Sequence, residues 1–78
     1  MKTVKISLQS IDKVKSFVSA LTRFDCDFDL VSGRNTIDAK SIMGIFSLDL
    51  SRPIDLHIHA DDKLDEILEV LRPYLAED

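Results

Sequence analysis

The chain opens with alternating polar and apolar residues, Val4, Ile6 and Leu8 being separated by Lys5 and Ser7. A period of two sends successive side chains to opposite faces of an extended backbone, so this stretch predicts a half-buried strand. The period then changes. Ile11, Val14, Phe17, Val18, Leu21 and Phe24 recur every three or four residues, which gathers them on one helical face, and Ser10 stands where an N-cap is needed. Phe28 and Leu30 alternate with Asp27 and Asp29, Ser32-Gly33-Arg34-Asn35 supplies turn residues, and Thr36-Ile37-Asp38 is extended again, which reads as a hairpin. Residues 41–48 form a short apolar cluster led by Ser41, a potential cap, and predict a second helix. Ser51-Arg52-Pro53 breaks that pattern before Ile54, Leu56 and Ile58 resume the strand alternation. Leu64, Ile67, Leu68, Leu71 and Leu75 then share a helical face, opened by Asp61 and Asp62 and closed near Pro73.

The resulting order is β-α-β-β-α-β-α, with each strand apolar on one face and each helix amphipathic. Such elements bury their apolar faces together as a two-layer α+β sandwich with the helices over one side of the sheet. At 78 residues there is room for one modest core, so residues 1–78 are expected to form a single domain.

Composition narrows the function. Apolar residues make up 45% and charged residues 31%, as in an ordinary globular protein. A net charge of −4 without a basic stripe disfavours phosphate backbones and anionic lipid as partners. No apolar run reaches the roughly 20 residues of a spanning helix, and the start of the chain lacks a signal-peptide pattern, so a cytoplasmic location is expected. Cys26 is the sole cysteine and reads as a small buried hydrophobe. There is neither a glycine-rich phosphate loop nor a cysteine pair, so the sequence predicts a protein that is not an enzyme and needs no cofactor.

Lys40-Ser41-Ile42-Met43-Gly44-Ile45, followed by Ser47-Leu48, resembles the regulatory-serine segment of the histidine-containing phosphocarrier (HPr) family, in which Lys-Ser-Ile-Met-Gly precedes a similar apolar stretch. The element order agrees over nearly the whole chain. The resemblance implies an open-faced β-sandwich, an antiparallel sheet of order 1-4-2-3 and three helices on one face. It also implies that the phosphocarrier motif, Gly-Ile/Leu-His-Ala-Arg-Pro, should fall between the first strand and the first helix, at Ser10-Ile11-Asp12-Lys13-Val14-Lys15. Only Ile11 matches that motif. Asp12 takes the place of the phosphorylated histidine, Val14 of the arginine and Lys15 of the proline, and the first histidine of the chain is His57.

That difference bears on chemistry. A neutral imidazole can accept a phosphoryl group as a phosphoramidate held at a helix N-terminus, whereas an ionised aspartate is a weaker nucleophile and repels incoming phosphate. Asp12 fits a helix-start carboxylate, worth about 0.3–1 kcal/mol against the helix dipole, better than an aspartyl-phosphate site. With the motif's glycine and proline both replaced and Ile11 in phase with the later apolar positions, the first helix is expected to begin about a turn earlier than in true carriers.

Ser41 has two compatible roles: a helix cap worth about 1 kcal/mol, and, as the resemblance implies, the target of a serine kinase whose product binds a transcription regulator. Ile42, Met43, Ile45, Phe46 and Leu48 are too many apolar residues for one short helix to bury on a single face. Some should be exposed, and Ile42, Met43 and Phe46 form the expected partner contact, a protein of the phosphotransferase system, a serine kinase or a regulator, against the plainer alternative that all fill the core. His57 and His59 fall on the polar side of the fourth strand and share it with Asp27, Asp29 and Asp55. A solvated sheet face explains them without a metal, because no ligand geometry is fixed. The expected function is therefore that of an HPr-like regulatory or protein-binding module, not competent for phosphohistidine transfer. The alternative is a phosphocarrier of the phosphoenolpyruvate-dependent sugar phosphotransferase system.

Overall fold

Where the period is two, the backbone extends and pairs; where it is three to four, it coils. In the computed structural model, which describes residues 2–76, the elements are β1 (Lys2–Ile6), α1 (Ile11–Leu21), β2 (Asp27–Ser32), β3 (Asn35–Asp38), α2 (Ile42–Phe46), β4 (Ile54–His59) and α3 (Leu64–Leu71), followed by a 3₁₀ turn at Arg72–Tyr74. The four strands form one antiparallel sheet in the order β1-β4-β2-β3, as the sequence led us to expect.

β4 runs through the middle of the sheet. Leu56 stands opposite Val4 on β1 and Leu30 on β2, and His57 opposite Thr3 and Asp29. Ile54, Leu56 and Ile58 are buried while Asp55, His57 and His59 reach solvent on the other side. The hairpin from β2 to β3 turns through Gly33-Arg34, with positive φ (61°) at Gly33 alone, a conformation that glycine adopts without a Cβ penalty.

The helices lie over the buried face. Val14, Phe17, Val18 and Leu21 of α1, Ile45 of α2, and Ile67 and Leu71 of α3 pack with Phe28, Leu30, Leu56 and Ile58 in one apolar cluster. Removing such a side chain from water stabilises the fold by roughly 1.5–3 kcal/mol each. Among the described residues the core contains no polar or charged side chain, and no buried side-chain nitrogen or oxygen lacks a partner.

Several expectations need correction. Ile11 is 62% exposed rather than part of the core. It occupies the first helical position, and because Cα–Cβ bonds lean toward a helix N-terminus its side chain overhangs the end of the packed stripe that begins at Val14. Leu8 is buried, yet β1 ends at Ile6. Leu75 lies outside α3, since the chain tightens into the 3₁₀ turn at Pro73 and then runs extended beside β1, leaving Leu75 36% exposed. α3 begins at Leu64 after Lys63, so the acidic residues of its first turn are Asp65 and Glu66 instead of Asp61 and Asp62. Cys26 is half-buried.

Tyr74 takes the buried place that Leu75 does not. Its ring meets Phe17 edge-on at 5.5 Å and its hydroxyl donates to Ser16 Oγ at 2.8 Å. On either side of it, Ser7 N–H donates to the Tyr74 carbonyl (2.7 Å) and Ala76 N–H to the Lys5 carbonyl (2.9 Å). The C-terminal segment thereby covers the outer edge of β1, which would otherwise present unpaired backbone groups.

In urea denaturation followed by circular dichroism, Phe17→Ala is expected to lower the unfolding free energy by about 3–5 kcal/mol, by lost transfer and cavity formation. Ile11→Ser should change it by less than about 0.5 kcal/mol, as for an ordinary surface substitution. The loop before β4 carries a pH dependence. The Asp49 carboxylate accepts hydrogen bonds from the Ser51 hydroxyl (2.6 Å) and the Ser51 N–H (3.0 Å), which hold it below the usual carboxylate range. Its contribution to stability is present above the ordinary carboxylate pKa and is lost as pH falls through the lowered value. Acid unfolding of Asp49→Ala compared with the parent should show that dependence reduced.

Candidate functional site

The segment resembling a regulatory-serine motif is built by successive local hydrogen bonds. Asp38, at the end of β3, accepts the Lys40 N–H on Oδ1 (2.9 Å) and the Ser41 N–H on its carbonyl (3.0 Å), turning the chain toward α2. Ser41 is extended (φ −98°, ψ 105°) and is the N-cap: its Oγ accepts the Gly44 N–H at 3.2 Å, and its carbonyl accepts the Ile45 N–H at 3.0 Å. The expected cap is therefore present. Gly44 lies against Ile37 of β3 and the Ser41 side chain. A Cβ there would lie 3.2 Å from Ser41 Oγ and 3.3 Å from Ile37 Cδ1, tighter than most Cβ contacts, so a side chain would push the cap or β3 away.

Lys40 fixes the segment from the other side. Its Nζ donates to the Phe24 carbonyl at 2.7 Å and lies 5.6 Å from the centroid of the Phe28 ring, on its face. The lysine thus joins the connection before α2 to the loop after α1. Its ammonium group meets both the aromatic face and a backbone oxygen. Sequence reading did not find this role. Nothing in the local pattern reveals that residue 24 will lie beside residue 40, although the Asp38–Lys40 turn is legible in Asp-Ala-Lys-Ser.

With the cap and the lysine holding α2, its five residues divide. Ile45 is fully buried and Leu48, just beyond, nearly so, whereas Ile42, Met43 and Phe46 are 37%, 81% and 42% exposed. Three large apolar side chains therefore stand side by side on one short helix facing water, a concentration that single scattered surface residues do not give.

α1, which packs beside α2, starts at Ile11. Ser10 caps it by accepting the Lys13 N–H on Oγ at 3.1 Å, and Asp12 lies exposed in its first turn. Residues 11–15 are helical, without an open loop through Lys15. The Asp12 carboxylate is thus at the positive end of the helix dipole, the placement that favours an acidic side chain.

The two histidines occupy another surface. His59 Nε2 lies 2.8 Å from Asp29 Oδ2, a cross-strand pair in which both side chains are more than a third exposed. Lys5 pairs with Asp55 at 3.5 Å on the same open face. His57 points to that face between Thr3 and Asp29. Among the described residues no three His, Cys, Asp or Glu side chains converge on one point. The sheet separates these histidines from α1 and α2.

Comparison with known proteins agrees with this geometry. Residues 12–77 match the family model described as the PTS HPr component phosphorylation site. Among solved structures the chain is similar to HPr-C-His from Thermoanaerobacter tengcongensis, with 28% identity, 94% of this chain and 89% of that one covered, and a TM-score of 0.76. It is also similar to a phosphocarrier protein HPr from Bacillus anthracis str. Ames, with 32% identity, coverage of 96% and 94%, and a TM-score of 0.74. The curated proteins gave no match. With the family model spanning all but the first eleven residues and the last, and with four strands in the order 1-4-2-3 under three helices, the chain belongs to the HPr family of the phosphotransferase system.

Proposed function

We propose that this protein is a docking and regulatory member of the HPr family that does not carry phosphate on histidine, and that Ser41 is its phosphorylation site. It acts in the cytoplasm by binding other proteins rather than by catalysis, and needs no cofactor. The observation that carries the reading is the location of the histidines. The chain has two, His57 and His59, both on the open face of the sheet, while Asp12 opens α1, where the family places its phosphohistidine. A carrier needs a neutral nucleophile beside anion-binding groups. The start of α1 offers a carboxylate, which repels a phosphoryl donor.

Ser41 supports the regulatory half. Half-buried Ser41 caps the N-terminus of α2 next to the exposed Ile42 and Met43. A phosphate there would add about −1.5 to −2 charges at the edge of the apolar patch while leaving acceptor oxygens for the Gly44 N–H, so docking preference changes without loss of the cap. The patch of Ile42, Met43 and Phe46 is the contact surface, with the flexible Met43 at its most exposed point.

A second reading, that of a sugar-phosphotransferase phosphocarrier, is favoured by the matched family model, which is described by its phosphorylation site. Intact-mass spectrometry separates the two. After incubation with an HPr serine kinase and ATP, the protein should gain the mass of one acid-stable phosphate, absent from Ser41→Ala. Incubation with enzyme I and phosphoenolpyruvate should leave the mass unchanged. Acid-labile phosphate in the second reaction would establish the carrier, and an unmodified Ser41 in the first would remove the regulatory assignment. For the docking surface, Met43→Asp is expected to leave unfolding within about 0.5 kcal/mol of the parent. It should weaken partner binding by about tenfold, the effect of losing a central apolar contact. Retention of host proteins on immobilised parent and variant checks this.

A further inference from the structure

A groove runs between the loop after α1 and the outer side of α3, with a volume of about 690 Å³. It lies at the opposite end of α1 from Asp12, about 14 Å along the helix at 1.5 Å per residue. Its apolar part is formed by Phe24 and Val70, both half-buried. Phe24 is fixed by three contacts. Its N–H donates to the Leu21 carbonyl (3.1 Å), its carbonyl accepts from Lys40 Nζ (2.7 Å) and its ring packs edge-on against Phe28 at 6.3 Å. An apolar side chain settling on it would therefore find a surface already ordered, without the entropic cost of fixing a mobile loop.

The wall of the groove is acidic. Asp65, Glu66 and Glu69 line it along α3, and a smaller, more enclosed cavity sharing Arg23, Phe24 and Lys63 adds Asp25 and Asp62. The groove itself sets Asp65, Glu66 and Glu69 against Arg23 and Lys63; with the second cavity the carboxylates number five, and Arg72 beside Glu69 is a third cation. Glu69 is paired with Arg72 at 3.3 Å, but among the described residues Asp65 and Glu66 have no ion-pair partner within 4 Å. Their place in the first turn of α3 suits the helix dipole, which accounts for their stability there and leaves their outward charge free for a ligand.

We propose that this groove is a second docking site, one that receives a basic amphipathic segment of a protein partner. Apolar side chains of that segment would rest on Phe24 and Val70 while its lysines or arginines face Asp65 and Glu66, the mode in which a helix presents anchors at i, i+3, i+4 and i+7. The groove is open along one side, so it suits a peptide segment better than a small molecule that must be enclosed. A second copy of this chain is the poorer occupant, since its net charge of −4 opposes self-association on an acidic face. The site is independent of whether Ser41 is phosphorylated or α2 docks a partner.

The test is titration of the isotope-labelled full chain with a lysine–leucine peptide patterned at helical spacing, with amide chemical shifts as readout. A glutamate–leucine peptide of the same pattern serves as control. Shifts concentrated at Phe24 and along residues 63–70 with the basic peptide, and their absence with the acidic one, are expected. Asp65→Lys with Glu66→Lys should weaken binding about tenfold, as expected for reversing two partly exposed charge contacts. Val70→Ser, which keeps the charge, should weaken it as well. Shifts that spread equally over Asp27, Asp29 and Asp55 on the open sheet face would mean general attraction to an acidic protein and overturn the proposal. So would undiminished binding by the charge-reversed variant. Concentration-dependent shifts of Phe24 and Val70 without peptide would give the groove to a second copy and overturn it too.

Discussion

The alternation along β4 is the constraint on which the rest of the structure depends. This strand is hydrogen-bonded on both sides, to β1 and to β2, so its register sets that of the whole sheet. Ile54, Leu56 and Ile58 enter the core, and Asp55, His57 and His59 face water. A slip of one residue would exchange the two sets, placing a carboxylate and two imidazoles in a core that offers no polar partner among the described residues, at a cost of several kcal/mol. The same alternation decides where the helices go, since only one face of the sheet can attract an apolar stripe. It also sets the histidines on the side away from α1.

On that base the molecule is closed by a few polar contacts between segments distant in sequence. Lys40 ties the approach to α2 to the loop after α1, and Tyr74 ties the C-terminal segment to α1 through Ser16 and Phe17. Each combines apolar contact with one hydrogen bond, so the contact orders the segment and the hydrogen bond orients it. Lys40 immediately precedes Ser41 and also anchors Phe24. The cap of α2 and the floor of the groove beside α3 are therefore positioned by the same residue, although the surfaces they serve face different directions.

Fold and phosphate transfer rest on different residues in this family. The fold and the family follow from apolar positions and turns, which tolerate change at any single exposed residue, whereas phosphate transfer depends on one nucleophile and its immediate neighbours. An α1 that begins at Ile11 under a Ser10 cap, with Asp12 in its first turn, is a sound helix start irrespective of any phosphate chemistry. A surface whose most exposed large apolar residue is Met43 is suited to contact with proteins.

The sequence by itself determined the order of elements, the faces of the strands and helices, the caps at Ser10 and Ser41, and the outward direction of His57 and His59, because these follow from spacings of two, three and four residues and from side chains that bond their own backbone. The sheet order came from the likeness of Lys40-Ser41-Ile42-Met43-Gly44 to a known family, since periodicity alone leaves the pairing of strands open. Tertiary structure decided what depends on neighbours remote in the chain. Ile11 keeps the helical phase yet overhangs the end of the packed stripe, and Leu75 keeps it yet falls beyond Pro73, where Tyr74 takes the buried position. What Lys40 holds and the groove between Phe24 and Val70 were likewise fixed only when α1, α2 and α3 met over the sheet. Burial is a property of the assembled surface, and a local pattern can say which face is apolar but not how far the neighbouring element extends to cover it.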